Sequence, residues 1–143
     1  MIIRSFRLSD YLVANRLLAE ALTEACYEET NHALARQLSY DSELVLVAEE
    51  GEELLGIIIG TIDNDQGYYY RLAVDPLHRR KGIGKELIRT LEKRFITRNV
   101  SDILIAVDEH GEDQELLSVF DAVRYFNRFL PKGRKALSIA SAN

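Results

Sequence analysis

The stretch LAVDPLHRRKGIGKELI, residues 72–88, joins a strand pattern to a helix pattern through a turn rich in arginine, lysine and glycine. The strand, YYYRLAV at 68–74, has the aromatic and β-branched content typical of a sheet, and Pro76 stops its ladder because proline lacks an amide hydrogen. Apolar residues then recur at helical spacing to about Arg98, and DILIAV at 102–107 forms a short apolar strand. This order predicts a right-handed crossover between two parallel strands, and therefore an α/β fold.

The N-terminal third has one strand pattern and two helix patterns. MIIRSF at 1–6 alternates as a strand does, and Ser9 or Asp10 can cap the helix that follows. We expect that helix to be long and to bury the apolar residues Leu12, Val13, Leu17, Leu18, Ala21, Leu22 and Ala25. A second, weaker helix is expected over about 28–38.

The middle of the chain predicts a three-strand meander. Residues 44–49 and 54–62 read as strands joined by a tight turn at Gly51, and DNDQG turns the chain into the strand at 68–74. A helix through residues 116–123 and a last strand, KALSIA at 135–140, complete the pattern. The predicted architecture is one domain, residues 1–143, with a mixed, mostly antiparallel sheet, a parallel central strand pair and helices on both faces.

Composition excludes several classes of protein. The formal net charge of -5 argues against a nucleic-acid-binding protein, which would carry a basic stripe. Eighteen apolar residues never run together, so we expect no membrane span and a cytoplasmic location. The single cysteine, Cys26, cannot form an internal disulfide, and no cluster has the spacing of metal ligands.

The basic turn predicts an anion site at the start of the crossover helix. Gly82 and Gly84 let the backbone come close to phosphate oxygens, beside the unpaired N–H groups and the positive end of the helix dipole. The charge around it comes from Arg79, Arg80, Lys81 and Lys85. Neither a Walker loop nor a dinucleotide fingerprint fits the spacing, although Asp108 stands near the place of a ribose ligand. A phosphate-binding domain of another kind stays open.

The same stretch resembles motif A of the GCN5-related N-acetyltransferase (GNAT) family, in which a strand and a proline precede Arg-x-x-Gly-x-Gly at the start of a helix. The matching residues are Arg79, Gly82 and Gly84, and the order of elements is similar over nearly all of the chain. The resemblance implies acetyl-CoA as co-substrate, with its diphosphate on the backbone amides of residues 80–85, Ile83 included. It also implies that the pantetheine arm bonds the backbone of Leu72, Ala73 and Val74, where the two parallel strands splay apart.

Acetyl transfer to an amine needs a base and a donor for the developing oxyanion. A backbone N–H of residues 70–73 is the family-like oxyanion donor. Relatives often have a carboxylate near the start of this strand, but this chain has Tyr68, Tyr69 and Tyr70, and a free tyrosine titrates near ~10. Tyr68 and Tyr70 are expected to share a face with Leu72 and are candidate catalytic residues. A water chain ending on Asp63, Asp65 or Asp108 is the favoured base.

A second family pattern, Asn-x-x-Ala-x-x-x-Tyr, is degraded in this chain. Its asparagine falls on Asp113 and its tyrosine on Phe120, which are the expected cofactor contacts here, and phenylalanine cannot donate a proton to the departing thiolate. Tyr125, Tyr70 or solvent would then take that part. The resemblance therefore implies an N-acetyltransferase, with a catalytically weak acyl-CoA-binding regulatory module as the alternative.

The expected partner is a small-molecule or peptide amine. Acidic residues follow the strands that lead to the predicted acceptor end and would attract a cationic amine; they are Asp63, Asp65, Asp108, Glu109, Glu112 and Asp113. His110, just past the last of those strands, is a further residue to test. The sequence allows a homodimer but does not specify one.

Overall fold

Six strands form one sheet in the order in which they occur along the chain. The computed structural model describes residues 1–107 and 139–141. The strands are β1 (Ile2–Ser5), β2 (Val45–Glu50), β3 (Glu53–Asp63), β4 (Gln66–Val74), β5 (Asp102–Val107) and β6 (Ile139–Ser141). The helices are α1 (Tyr11–Ala21), α2 (Glu24–Tyr40) and α3 (Ile83–Thr97).

Strand pairing confirms the predicted mixed sheet. β1 to β4 pair antiparallel in sequence order, and β4 pairs parallel with β5 after the crossover through α3. β6 also pairs parallel with β5. The predicted last strand, residues 135–140, overlaps β6 at its end, and residues 135–138 lie outside the described part, as does the predicted helix at 116–123. That residues 1–143 form one domain stays a prediction.

Alternation along the strands divides the core between the two faces of the sheet. In β2, Val45 and Val47 pack with α1 and α2, whereas Leu46 and Ala48 pack with α3. Because successive strand residues point to opposite faces, the apolar run at 45–48 supplies both cores. Helices thus cover both faces, as predicted. In the described part of the chain, no helix is long and apolar enough to span a membrane.

The prediction of one long first helix is wrong. α1 ends at Ala21, because Leu22 is extended and the side chain of Thr23 accepts a hydrogen bond from the backbone N–H of Cys26 to cap α2. α2 then runs for 17 residues, longer at both ends than the predicted 28–38. The predicted buried face is also wrong in part, since Leu12 is 76% exposed. The buried stripe of α1 is Ala14, Leu17 and Leu18.

Two glycines let α3 lie directly on the sheet. A Cβ atom at Gly60 would come within 2.8 Å of a Leu91 side-chain carbon, and one at Gly67 within 2.9 Å of the Phe95 ring. Neither position has room for a side chain unless the side chain of Leu91 or Phe95 shifts. The helix is therefore held close over β3 and β4, and this contact fixes where its first residue, Ile83, lies relative to the end of β4.

Candidate active site

The glycine loop, residues 79–84, connects the end of β4 to the first turn of α3. A short 3₁₀ turn, Pro76–His78, precedes it, and the carboxylate of Asp75 holds that turn. Asp75 Oδ1 accepts a hydrogen bond from the backbone N–H of Leu77 at 2.9 Å, and Oδ2 lies 3.4 Å from His78 Nδ1. The sequence therefore builds the approach to the loop from a capping aspartate and a proline, both of which favour a tight turn.

The backbone of the glycine loop alternates between negative and positive φ. Arg79 has φ -68°, Arg80 has φ +66°, and Gly82, the N-cap of α3, has φ +83°. Such alternation aims successive N–H groups into one concavity, which is a common anion site. The first intrahelical bond of α3 runs from Glu86 N–H to the Gly82 carbonyl, so the N–H groups of residues 83–85 precede the helical ladder.

The side chains of the glycine loop add positive charge to this backbone site. Arg79, Arg80 and Lys81 are exposed, and Lys85 is half-buried one turn into α3. The one acidic residue of the first helical turn, Glu86, forms an ion pair with Arg89 at 3.1 Å. The predicted anion-binding residues are thus brought together, and their geometry and charge suit a phosphate group.

The outer edge of β4 leads from the glycine loop towards the centre of the sheet. Parallel pairing with β5 covers residues 66–69 and ends at Tyr69 opposite Ile105, so no described pairing with β5 continues to Val74. Asp75 N–H donates to the Leu55 carbonyl on β3 at 2.8 Å, which makes Asp75 a hydrogen-bonded partner of β3. Along an antiparallel strand, the backbone N–H and C=O groups of successive residues point alternately towards the neighbouring strand and away from it. Since those of Asp75 point towards β3, those of Val74 and Leu72 point away from it. We call the backbone of these two residues the β4 edge.

Ala73 differs from its two neighbours. It lies opposite Ile57 at a position where the alternation turns its N–H and C=O towards β3. The predicted contact of residues 72–74 with a pantetheine arm is therefore available from the backbone of Leu72 and Val74, while the polar groups of Ala73 serve the sheet.

A β-bulge interrupts β4 where pairing with β5 stops. Ile59 lies opposite Arg71 and Gly60 opposite Tyr69, which leaves Tyr70 as the extra residue. The side chains change phase at this point: Tyr69 and Leu72, three residues apart, both pack in the α3 core, whereas Tyr70 packs against the core on the other face.

The bulge makes one prediction wrong. Leu72 belongs to the α3 core, whereas Tyr70, and by alternation Tyr68, face α1 and α2. These two tyrosines therefore do not share a face with Leu72. The extra residue breaks the period of two on which that expectation rested.

The three tyrosines have different surroundings. Tyr69 is fully buried against the Phe95 ring, and burial, followed by the charge of Glu92, raises the pKa of its phenol well above the usual value. Tyr68 donates from its hydroxyl to Gln66 Oε1 at 2.9 Å. Tyr70 is half-buried, and the guanidinium carbon of Arg71 lies 5.1 Å from the centre of its ring.

Two of the predicted acidic residues lie far from the glycine loop. Asp63 and Asp65 lie in the β3–β4 turn, at the opposite end of β4 from the glycine loop, and the Asp65 carbonyl accepts the Ser101 N–H at 2.7 Å. Five residues of strand separate Tyr70 from Asp65, which is about 16 Å. That Asp63 or Asp65 ends a water chain at the acceptor end stays a prediction. The other predicted residues, Asp108, Glu109, His110, Glu112, Asp113, Phe120 and Tyr125, lie outside the described part.

Sequence reasoning missed two buried polar groups beside the site. Arg71 is 2% exposed and donates from Nε to the hydroxyl of Thr30 in α2 at 3.1 Å. Glu92 on α3 is 6% exposed, and burial raises the pKa of its carboxyl to about 7. The signal for Glu92 was present, since it falls one turn after the buried Ile88 on the apolar stripe.

Comparison with known proteins identifies the family. The family model for the acetyltransferase (GNAT) family matches residues 12–116. The chain belongs to the GNAT family of acetyltransferases. It is 32% identical over 125 residues to an acetyltransferase of Sodalis glossinidius, and 30% identical over 125 residues to one of Pectobacterium atrosepticum. Each of these alignments covers 87% of both chains.

Solved structures of GNAT acetyltransferases have the same fold. The PaiA N-acetyltransferase of Thermoplasma acidophilum, in complex with coenzyme A, superposes with a TM-score of 0.64 at 19% identity, covering 84% of this chain and 87% of that one. A GNAT acetyltransferase of Brucella melitensis in complex with acetyl-CoA gives 0.64 at 21% identity and 80% of each chain. Diaminobutyrate acetyltransferase from Paenibacillus lautus, bound to its substrate and coenzyme A, gives 0.63 at 19%, with 94% and 87% covered.

Proposed function

We propose that this GNAT protein is an N-acetyltransferase that moves an acetyl group from acetyl-CoA to a primary amine of a small molecule or a peptide. The observation that carries the proposal is the alternating backbone at Arg80 and Gly82, placed between the β4 edge and the first turn of α3. Two of the similar structures contain coenzyme A and one contains acetyl-CoA, which supports acetyl-CoA as the co-substrate.

The residues present suit a CoA thioester. The diphosphate would lie on the N–H groups of residues 80–85, beside the cationic side chains of the glycine loop. The pantetheine amides would bond the β4 edge, because the N–H and C=O groups of Leu72 and Val74 point away from β3. The thioester would then lie near the bulge at Tyr70, with a backbone N–H of residues 70–72 as donor to the oxyanion, since that of Ala73 points towards β3.

The reaction would begin with attack of a neutral amine on the thioester carbonyl. The tetrahedral intermediate then expels the thiolate, the amide forms, and the amine proton passes to a base. Tyr69 does not suit the role of base, since its raised phenol pKa keeps it protonated. A water chain ending on Asp63, Asp65 or Asp108 stays the candidate base, and Tyr68, Tyr70 and Tyr125 stay candidate hydroxyls for the acceptor or the thiolate.

The thiolate is a fair leaving group without help. A free thiol titrates near ~8.5, so a CoA thiolate can depart before it is protonated. For this reason the phenylalanine at position 120 does not argue against catalysis, and transfer is preferred over the regulatory acyl-CoA-binding module.

The decisive experiment combines acetyl-CoA titration with thiol release. Isothermal calorimetry should show acetyl-CoA binding, and trapping of the free thiol should show release that depends on an added amine from a panel of amino acids, polyamines and peptide N-termini. Binding without amine-dependent release would contradict the transferase and favour the regulatory module. Binding of ATP or NAD in preference to acetyl-CoA would contradict both.

Two glycines of equal strain provide a matched pair of variants. Gly82 in the glycine loop and Gly51 in the β2–β3 turn both have positive φ, +83° and +64°, and a Cβ atom at either would meet nothing within 4 Å. Gly82→Ala and Gly51→Ala should therefore each cost about 1 kcal/mol of stability. Only Gly82→Ala should weaken acetyl-CoA binding, by about tenfold, because it disturbs the amides that would hold the diphosphate. Equal effects of the two variants would contradict the assignment.

A further inference from the structure

One polar group of the β4 edge already has a partner. The carbonyl oxygen of Val74 accepts a hydrogen bond from Arg79 Nε at 3.4 Å. Arg79 is the first residue of the glycine loop, five positions after Val74. Its side chain therefore folds back from the predicted diphosphate site onto the predicted pantetheine site.

We infer that Arg79 sets donor specificity, by making occupation of the β4 edge depend on the diphosphate of the donor. This inference rests on the proposed function. An amide of the pantetheine arm would approach the Val74 carbonyl from the side on which the guanidinium of Arg79 now lies. A donor without a diphosphate must displace the arginine and has no anion to offer it. A CoA thioester supplies that anion next to the same side chain.

The relative strengths of the two contacts favour the exchange. A bond from a guanidinium to a phosphate is charge-assisted on both sides, and it is shorter and stronger than one to a neutral carbonyl. Arg79 is exposed in the glycine loop, where Arg80 and Gly82 turn the backbone amides towards a shared concavity. A diphosphate on those amides would draw Arg79 to itself and leave the Val74 carbonyl to the pantetheine.

The expected size of the effect is that of one hydrogen bond. A carbonyl oxygen has two lone pairs, so Arg79 weakens the competing contact and does not abolish it. The loss of one net hydrogen bond corresponds to roughly a two- to tenfold change in affinity. The selectivity that Arg79 provides against donors without a diphosphate should fall in this range.

The test compares two donors on the full chain. Affinities for acetyl-CoA and for S-acetylpantetheine, which has no diphosphate, are measured for the wild type, Arg79→Met and Arg80→Met. Arg79→Met should bind S-acetylpantetheine roughly two- to tenfold more tightly than the wild type and acetyl-CoA more weakly. Arg80→Met removes the same charge from the same loop without the Val74 contact, so it should weaken acetyl-CoA binding and give no gain for S-acetylpantetheine.

A second measurement needs no variant. Inorganic pyrophosphate should tighten binding of S-acetylpantetheine to the wild type, and S-acetylpantetheine should tighten binding of pyrophosphate by the same factor. Arg79→Met should lose this coupling. Unchanged or weaker S-acetylpantetheine binding in Arg79→Met, or pyrophosphate that fails to tighten it in the wild type, would overturn the role of Arg79. If the wild type does not bind acetyl-CoA at all, the proposed function itself fails.

Discussion

Replacing Glu92 by glutamine should stabilise the protein in a strongly pH-dependent way. The carboxyl lies on α3 with only 6% of the residue exposed, and no described residue donates a hydrogen bond to its Oε2 atom. Burial raises the pKa from 4.5 to about 7, although the cationic neighbours Lys93 and Arg89 act in the opposite direction. Glutamine has nearly the same shape and no charge to bury.

The direction of this pH dependence follows from the number of protons that the folded and the unfolded states bind. Between about pH 4.5 and 7 the folded protein holds the Glu92 proton and the unfolded chain releases it, so the free energy of unfolding falls as pH rises through this window. Each pKa unit is worth about 1.4 kcal/mol, so the full shift corresponds to about 3 kcal/mol. Glu92→Gln removes this loss. Relative to the wild type, the variant should gain up to about 3 kcal/mol above pH 7 and almost nothing at low pH.

Urea unfolding at a series of pH values measures this difference directly. Glu86→Gln on the same helix is the control, because Glu86 is half-exposed and paired with Arg89 at 3.1 Å. That control should change stability by less than about 1 kcal/mol, with no gain at high pH. The reasoning is refuted if the stability difference between Glu92→Gln and the wild type is the same at about pH 5 and about pH 8, or if the wild type is the more stable at the higher pH.

Three further changes test other parts of the structure. Thr30→Val removes the acceptor of the buried Arg71 Nε and should cost about 1–3 kcal/mol in thermal or urea unfolding; a neutral result would mean that this contact does not stabilise the fold. Gly60→Ala should cost about 1–3 kcal/mol because its Cβ would come within 2.8 Å of a Leu91 side-chain carbon and 3.0 Å of the Phe95 ring; a neutral result would contradict the packing described. Arg4 donates two hydrogen bonds of 2.8 Å to the carboxylate of Asp10 and lowers its pKa. Asp10→Asn should therefore destabilise by about 1–3 kcal/mol at neutral pH, and this deficit should shrink as pH falls below about 3.8; a deficit that persists in acid would point to packing.

Local sequence patterns were sufficient to predict most of the sheet. The meander, the crossover and the start of α3 follow from periods of 2 and 3.6 and from turn residues, and each lies within two residues of its predicted place. The break between α1 and α2 was missed because apolar residues continue in helical phase through Leu22 to Ala25. Thr23, which caps α2, gives only a weak signal inside such a run.

The error at the site arises from contacts between distant segments. No local pattern in YYYRLAV marks the bulge, because it is set by how β4 pairs with β3 on one side and β5 on the other. The position of the glycine loop at the start of α3 was predicted well because it is marked by six consecutive residues.

The extra residue in β4 places two consecutive side chains, those of Tyr70 and Arg71, on the same face of the sheet. Before it, the strand must supply the large ring of Tyr69 to the space above Gly67, where Phe95 lies. After it, Leu72 and Val74 must reach the same helix while Arg71 reaches Thr30 on the other side. Deleting Tyr70 would leave a strand that alternates regularly, in which Tyr68, Tyr69 and Leu72 keep their faces. The interior under α3 would be preserved, and the face towards α1 and α2 would lose the ring that lies beside Arg71.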